Sequence, residues 1–245
     1  KYLGLDAKLN FNEVIECSLE VLERNLHLIG ENDDYWLFQR ITPGTADPFL
    51  DEPNAEPTVI IECTPLPLKA RAALFRDGVK VQVPATRRIP PDAQSPRAKT
   101  QNYINLLLAD REVRSIDRHA WAVLLDHSGN IAEGLGSNIF FVREGELLTP
   151  RERFVLPGVS RETVIELAME DGIPVRETDL DLFDAFTCDE CFLTSTSLCM
   201  VPVTSLNGRS IGNSLPGPIT ERLMRSYKRL LDFDFVEQYT RHLDT

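Results

Sequence analysis

The amino-acid sequence of 245 residues lacks long hydrophobic runs and has little positive charge. Its longest apolar stretches, such as TVIIEC from Thr58, are far shorter than the roughly 20 residues that a membrane helix needs. The chain holds 26 lysines and arginines against 38 aspartates and glutamates, a formal net charge of −12, and no basic patch. Such a surface repels nucleic-acid phosphates and anionic lipid. We therefore expect a small-molecule partner, with no nucleic acid and no membrane.

Cysteine is scarce as well, and its use excludes two kinds of site. Five cysteines, an odd number without a secretory segment, predict reduced thiols and a cytoplasmic protein. Cys188 and Cys191 form a CxxC motif, but the four histidines are not placed to complete a zinc site. The motif also runs into an apolar strand pattern, whereas a redox motif opens a helix. We therefore predict no metal, and the absence of a G-x-S-x-G motif argues against a serine hydrolase.

What is present is a mixture of helix and strand patterns, which predicts an α+β fold. Asn10 followed by Glu13 is typical of a capped helix start, and apolar residues from Val14 to Leu22 share one predicted helix face. Further helices are predicted at residues 101–113, 160–172 and 216–231, and strands at 35–41, 57–63, 79–87, 119–126, 138–142, 190–195 and 200–206. The last helix has an apolar stripe made of Ile219, Leu223, Tyr227 and Leu230.

Proline marks the predicted domain organisation. The segment IPPDAQSPR has three prolines in nine residues, which keeps the chain extended and indicates a linker. We predict a small α/β domain at residues 1–88, with its N-terminal part missing, an interdomain linker at 89–98 and a larger, barrel-like domain at 99–245. The loop at 42–57 is longer than a structural turn requires, so we expect it to carry function or mobility.

Lys99 follows this linker directly. A lysine is by default a solvated surface charge. Here it lies where a domain interface could form, and it precedes a strongly apolar helix pattern that could hold it in a dry site. A desolvated lysine is a nucleophile toward carbonyl compounds. Lys99 is therefore a candidate catalytic residue.

The stretch IAEGLGSNIF supplies a candidate acid, Glu133, with Asn138 nearby. Taken alone, Glu133 is equally typical of an exposed carboxylate in a turn. GLGSNI begins like a dinucleotide-binding motif, but Ile139 stands where the third glycine belongs, and a strand pattern follows where a helix is required. The stretch does not predict a Rossmann fold.

Two further segments could bind an anion. In LPGVSRETV, Gly158 precedes a predicted helix, so that the amides of Val159 and Ser160 could face a phosphate, assisted by the helix dipole. An ordinary capped helix start explains this segment equally well. The hydroxyl run from Thr194 to Ser197 ends a predicted strand. It could complete a phosphate site or form a simple Ser/Thr-rich turn.

The order of these motifs resembles the class IV, fold type IV, aminotransferases, which depend on pyridoxal phosphate. The family includes branched-chain and D-amino acid aminotransferases, (R)-selective amine transaminases and aminodeoxychorismate lyases. AEGLGSNIFFVREGELLTP, LPGVSRETVIELA, TCDECFLTSTS and NGRSIGNSLPGPIT carry the resemblance, which spans most of the chain from Lys99 to Thr220. It implies a small α/β domain and a larger barrel-like domain with the cofactor between them, and a homodimer or higher homo-oligomer.

The resemblance also implies roles for individual residues. Lys99 would form the Schiff base with pyridoxal 5'-phosphate and Glu133 would face the pyridine nitrogen. Leu156 would pack on the cofactor ring, following the family pattern. The remaining cofactor-binding residues are expected at the phosphate or close to it; they are Asn138, Gly158, Val159, Ser160, Ser195 and Thr196. The implied reaction is transfer of an amino group from an amino acid or primary amine to a 2-keto acid.

Departures from the family leave the subtype open. Nothing precedes Lys1 that could match the family's phosphate-binding arginine, so we expect the phosphate to be held more weakly or the chain to begin late. TPGTADPFLD stands where branched-chain and D-amino acid members carry their substrate loops, and IPPDAQSP is closer to the amine transaminases. The alternatives to a transaminase are a pyruvate-eliminating lyase of the aminodeoxychorismate lyase type and an inactive phosphate-ligand binding module.

Overall fold

A computed structural model describes residues 2–44 and 56–243 of the chain. Its contacts divide the chain into two compact units, Lys1–Leu68 and Lys69–Thr245. Most of the loop predicted at 42–57 lies outside the described residues, and with it most of the predicted substrate loop.

The smaller unit is one helix packed on a two-stranded sheet. Helix α1 spans Phe11–Asn25, and the antiparallel strands β1 and β2 span Tyr35–Thr42 and Thr58–Pro65. The predicted cap is confirmed, because Asn10 accepts hydrogen bonds from the first turn and Glu13 returns one. The predicted apolar face is only partly correct: Ile15 and Leu19 are exposed, whereas Ser18 is buried. Ser18 donates to the carbonyl of Val14 and accepts from Gln39 of β1.

A mixed, curled sheet forms the centre of the larger unit. Within the described residues its order is β5-β4-β3-β10-β9-β6-β7-β8, with a short β11 beside β10. The strands are β3 Val79–Gln82, β4 Trp121–Leu125, β5 Ile131–Gly134, β6 Asn138–Arg143, β7 Glu146–Pro150, β8 Val175–Thr178, β9 Glu190–Ser195, β10 Cys199–Leu206 and β11 Arg209–Ser210. The helices are α2 Leu68–Asp77, α3 Ile104–Ile116, α4 Val159–Glu170, α5 Leu182–Thr187, α6 Pro218–Leu231 and α7 Phe235–Thr240.

The two ends of this sheet approach each other. The amide of Ile131 in β5 donates to the carbonyl of Leu180, two residues after β8, at 2.6 Å. Large side chains fill the space that the curled sheet encloses, and the rings of Phe140 and Phe192 stack there at 5.0 Å. The larger unit is therefore the barrel-like α+β structure that the sequence predicts.

The division between the units differs from the predicted one. We predicted the boundary at 89–98, but the contacts divide the chain after Leu68. The reason is that β3 pairs in parallel with both β4 and β10, which places residues 79–82 in the middle of the large sheet. The proline-rich segment then runs beside β4, where the amide of Arg88 donates to the carbonyl of Leu125.

The described helices include none that is both long and apolar enough to cross a membrane.

Candidate active site

Lys99 lies in the loop between the proline-rich segment and α3. The helix was predicted from residue 101 but begins at Ile104. Gln101 has a left-handed backbone with φ 59°, which interrupts helical geometry before that point. The Lys99 side chain is exposed at the mouth of a cavity. The predicted dry environment is therefore wrong for this structure, because the apolar helix starts too late to cover the amine.

Glu133 is deeply buried, which removes its interpretation as an exposed turn carboxylate. It lies in β5 and is 5% exposed. One carboxylate oxygen accepts from Nε of Arg88 at 2.9 Å, and the other accepts from the amide of Leu156 at 2.9 Å. Burial raises the pKa of Glu133, and the charge of Arg88, the Leu156 amide and the charge of Lys99 oppose that rise. The carboxylate is thus held in place between a cation and a backbone donor.

Asn138 positions the segment ahead of α4. Its amide nitrogen donates to the carbonyl of Leu156 at 2.9 Å, so the Leu156 backbone is bound on both sides, by Asn138 and by Glu133. A Cβ atom on Gly158 would lie 2.4 Å from Oδ1 of Asn138. Glycine at 158 therefore lets the helix start approach β6 closely.

The start of α4 has the properties of an anion site. Gly158 is the N-cap residue and no side chain caps the helix, so the interpretation of this segment as an ordinary capped helix start does not hold. The unsatisfied amides of the first turn point toward the cavity end of the helix, where its dipole favours negative charge. Ser160 is buried beside them.

The hydroxyl run faces the same cavity from β9. Thr194 pairs with Asn138 across the β6–β9 ladder and is 1% exposed. Its hydroxyl has no hydrogen-bond partner among the described residues. A buried hydroxyl without a partner is costly, so this atom fits a site whose ligand supplies the missing acceptor. A lysine amine, a buried carboxylate, a helix start and these hydroxyls together suit pyridoxal phosphate.

One cavity brings together all nine residues that were predicted as catalytic or cofactor-binding. Its lining includes Lys99, Glu133, Asn138, Leu156, Gly158, Val159, Ser160, Ser195 and Thr196. Four further residues that sequence reasoning missed line it as well, namely Arg88, Gln94, Tyr103 and Thr194. Arg88 was noticed only as half of a short basic pair. Its partner lies 45 positions away, and no local pattern indicates that pairing.

The CxxC motif lies apart from this lining. Cys188 ends α5 and Cys191 lies in β9, so the motif leads into a strand as expected. Burial raises the pKa of Cys188 to about 12, and it also raises that of Cys191. Among the described residues no group of histidine, cysteine, aspartate and glutamate is arranged to hold a metal ion.

A curled mixed sheet with a lysine, an acid and a helix start around one cavity defines a cofactor-dependent enzyme of the fold type IV class. Comparison with known proteins agrees. The family model for class IV aminotransferases matches residues 11–206. A Methanocaldococcus jannaschii protein named as a branched-chain-amino-acid aminotransferase is 36% identical over 232 residues, 93% of this chain and 76% of that protein.

Solved structures show the same fold. A branched-chain aminotransferase from the archaeon Thermoproteus uzoniensis, solved with norvaline, superposes with a TM-score of 0.82 at 28% identity, covering 99% of this chain and 77% of that one. A branched-chain amino acid aminotransferase from T.th., solved with pyridoxamine 5'-phosphate, superposes with a TM-score of 0.80 at 26% identity, covering 97% and 77%. The chain belongs to the class IV aminotransferase family, whose members are pyridoxal phosphate-dependent transaminases.

This membership confirms the predicted fold type, enzyme class and cofactor. The roles of individual residues, the domain boundaries, the homodimer and the cytoplasmic location stay predictions.

Proposed function

We propose that this chain transfers the amino group of a branched-chain amino acid to a 2-keto acid, with pyridoxal 5'-phosphate held in the cavity between Lys99 and α4. The observation that carries the proposal is that Lys99, Glu133 and the start of α4 line one cavity. The substrate class follows the names of the relatives and structural neighbours, which are branched-chain aminotransferases. The Thermoproteus uzoniensis structure contains norvaline, an apolar amino acid.

We assign the phosphate to the end of the cavity where α4 begins. The amides of Val159 and Ser160 would donate to it, in keeping with the uncapped helix start. Hydroxyls from the β9 end, Ser195 and Thr196, would complete the phosphate site, with the partnerless hydroxyl of Thr194 beside them. Leu156 would pack against the ring, since its backbone is bound on both sides.

Glu133 and Lys99 would carry the chemistry. When bound, pyridoxal phosphate withdraws electrons from the substrate and so acidifies its α-carbon. Glu133, held ionised by Arg88 and the Leu156 amide, would keep a proton on the ring nitrogen. The amine of Lys99 would take the proton from the substrate α-carbon and return it on the other side of the nitrogen that is being transferred.

We also propose a homodimer in the cytoplasm. Helix α3, which directly follows the Lys99 loop, exposes Ile104, Leu107 and Leu108 on its surface. An exposed apolar patch next to a functional loop is typical of a subunit interface. All five cysteines are free thiols, which suits a reducing compartment.

The test is a donor panel together with a lysine variant. Purified protein should be yellow, and borohydride should bleach it and fix a pyridoxyl group on the peptide that contains Lys99. L-Branched-chain amino acids should be used in preference to D-alanine and (R)-1-phenylethylamine when a keto acid is present. Lys99→Ala should abolish turnover. Wild-type rates in that variant would overturn the assignment.

The lyase alternative has its own signature. A lyase releases pyruvate without a keto-acid acceptor, whereas a transaminase makes product only when an acceptor is added. Protein that stays colourless after addition of pyridoxal phosphate would instead favour the inactive binding module.

A further inference from the structure

We propose that Arg71 is a positioning residue for the phosphate end of the cavity, acting through Ser197. The inference rests on the proposed function, because it assumes that the turn after β9 holds a phosphate. It concerns a residue that does not line the cavity and that no motif in the sequence marks.

The turn from β9 to β10 carries the cavity hydroxyls on one side and is held from the other side. Ser195 and Thr196 line the cavity, whereas Ser197 does not. Within the turn, the amide of Leu198 donates to Oγ of Ser195 at 3.3 Å. The next residue, Cys199, has a left-handed backbone with φ 52°, a conformation that side-chain-bearing residues adopt reluctantly. External contacts are therefore needed to hold this turn.

Two helices of the larger unit supply those contacts at Ser197. Arg71 of α2 donates from its guanidinium to Oγ of Ser197 at 2.9 Å. Tyr239 of α7 donates from its hydroxyl to the carbonyl of Ser197 at 2.7 Å. The side chain and the backbone of one residue are thus gripped from behind, directly next to Thr196.

The chemistry of Arg71 suits this position. A guanidinium stays protonated across the working pH range, and its hydrogen bond to a hydroxyl is charge-assisted and therefore stronger than a neutral one. Its positive charge also lies behind a turn whose front would face a phosphate dianion. Since each phosphate hydrogen bond depends on distances of a few tenths of an ångström, loss of the Arg71 contact should loosen the hydroxyls and weaken phosphate binding.

The experiment compares two aldehydes that differ only in the phosphate. Full-length wild-type protein, Arg71→Met, Ser197→Ala and the double variant are freed of cofactor and titrated with pyridoxal phosphate and with pyridoxal, followed by absorbance. Arg71→Met keeps the length of the aliphatic stem. We expect it to raise the dissociation constant of pyridoxal phosphate by about fivefold to tenfold and to leave that of pyridoxal unchanged. The double variant should be no weaker than Arg71→Met alone.

Arg76→Met is the matched control, since Arg76 lies on the same helix and pairs with its exposed neighbour Asp77. It should bind both aldehydes as the wild type does. Equal loss of both aldehydes, or no loss of either, in Arg71→Met and Ser197→Ala would overturn the inference. If Arg71→Met fails to fold, Ser197→Ala with the same pair of aldehydes decides the question. A wild-type protein that does not bind pyridoxal phosphate would overturn the proposed function as well.

Discussion

Arg88 and Glu133 form an ion pair that is almost fully withdrawn from water. A buried carboxylate with no cation beside it would take up a proton, because desolvation disfavours the charged form. Arg88 and the Leu156 amide counter that tendency, whereas burial alone raises the pKa of Glu133. The ionised carboxylate is the form that could hold a proton on a cofactor ring, so we expect transaminase activity to fall as pH drops through the pKa of Glu133.

Arg88→Met should move the acid limb of the pH profile to higher pH. The variant removes the charge that opposes the raised pKa, so Glu133 becomes protonated at a higher pH than in the wild type. We expect activity at neutral pH to fall by up to about a hundredfold, with a smaller loss at high pH. The measurement is kcat/KM for a branched-chain amino acid across the acid and alkaline limbs of the profile.

The neighbouring Arg87 offers a matched control for this prediction. Its side chain is exposed, so Arg87→Met should leave the profile in place. An unchanged acid limb in Arg88→Met would show that Glu133 does not control the activity at low pH.

The cysteines should differ sharply in reactivity. Cys17 is exposed on α1, whereas burial raises the pKa of Cys188 and of Cys199 to about 12. Because the thiolate is the reactive form, each such thiol should react about a thousandfold more slowly than an ordinary one at mildly alkaline pH. A disulfide-exchange reagent should therefore show one fast thiol in the native protein, and Cys17→Ser should remove that phase. A fast phase that survives in Cys17→Ser would contradict the burial of the other thiols.

At the scale of elements, a buried carboxylate joins β9 to α6. Glu190 is 7% exposed and accepts from the amides of Ile219 and Thr220, at 2.9 and 2.7 Å. These amides belong to the first turn of α6 and have no partner within the helix. A Cβ on Gly217 would lie 2.2 Å from the carboxylate carbon, so glycine is what allows this approach.

Glu190→Ala should destabilise the larger unit by about 2 kcal/mol, because it leaves two buried amides unsatisfied and removes a negative charge from a helix N-terminus. Denaturant unfolding followed by circular dichroism measures the loss. Glu152→Ala, at an exposed glutamate, serves as the control and should change the free energy of unfolding by less than about 0.5 kcal/mol. Equal stability of the two variants would show that the capping contact contributes little.

The elements also show where sequence patterns succeed. The cap at Asn10 and the strand at 190–195 were predictable, because each depends on neighbouring residues. Strand β5 was not: Ile131–Gly134 is a four-residue strand that contains Glu133 and ends in a glycine, so its local pattern indicates a turn. Its β-structure comes from pairing with β4.

The stripe on α6 fails for a similar reason. Leu223 and Tyr227 are buried as predicted, but Leu230 is 59% exposed. Helical spacing identifies which residues share a face, whereas the extent of the surface that covers this face is set by elements far along the chain. The same holds for the site: its nine predicted residues came from separate motifs, and sequence reasoning missed residues such as Arg88 and Thr194, whose neighbours in the site lie far along the chain.

At the scale of the whole molecule, the exposed apolar surface of α3 leads to a prediction of mass. Light scattering should give twice the chain mass of 27.7 kDa for the wild type. Leu107→Glu places a charge in the middle of the exposed patch, and it should shift the mass toward that of a single chain, since burying an unpaired charge at an interface is costly. Phe183→Glu, at an exposed apolar position on α5, should leave the mass unchanged. A wild-type monomer would contradict the proposed dimer.

The backbone of Leu156 has a consequence for how such a site can change over evolutionary time. Its amide and its carbonyl connect the acid of the ring end to the asparagine that sets the start of α4. A substitution that alters the acid therefore also displaces the helix that would receive the phosphate. Adjusting the electronic character of the cofactor and adjusting its retention are not independent, so new activities on this scaffold should arise through compensating pairs of mutations rather than through single steps.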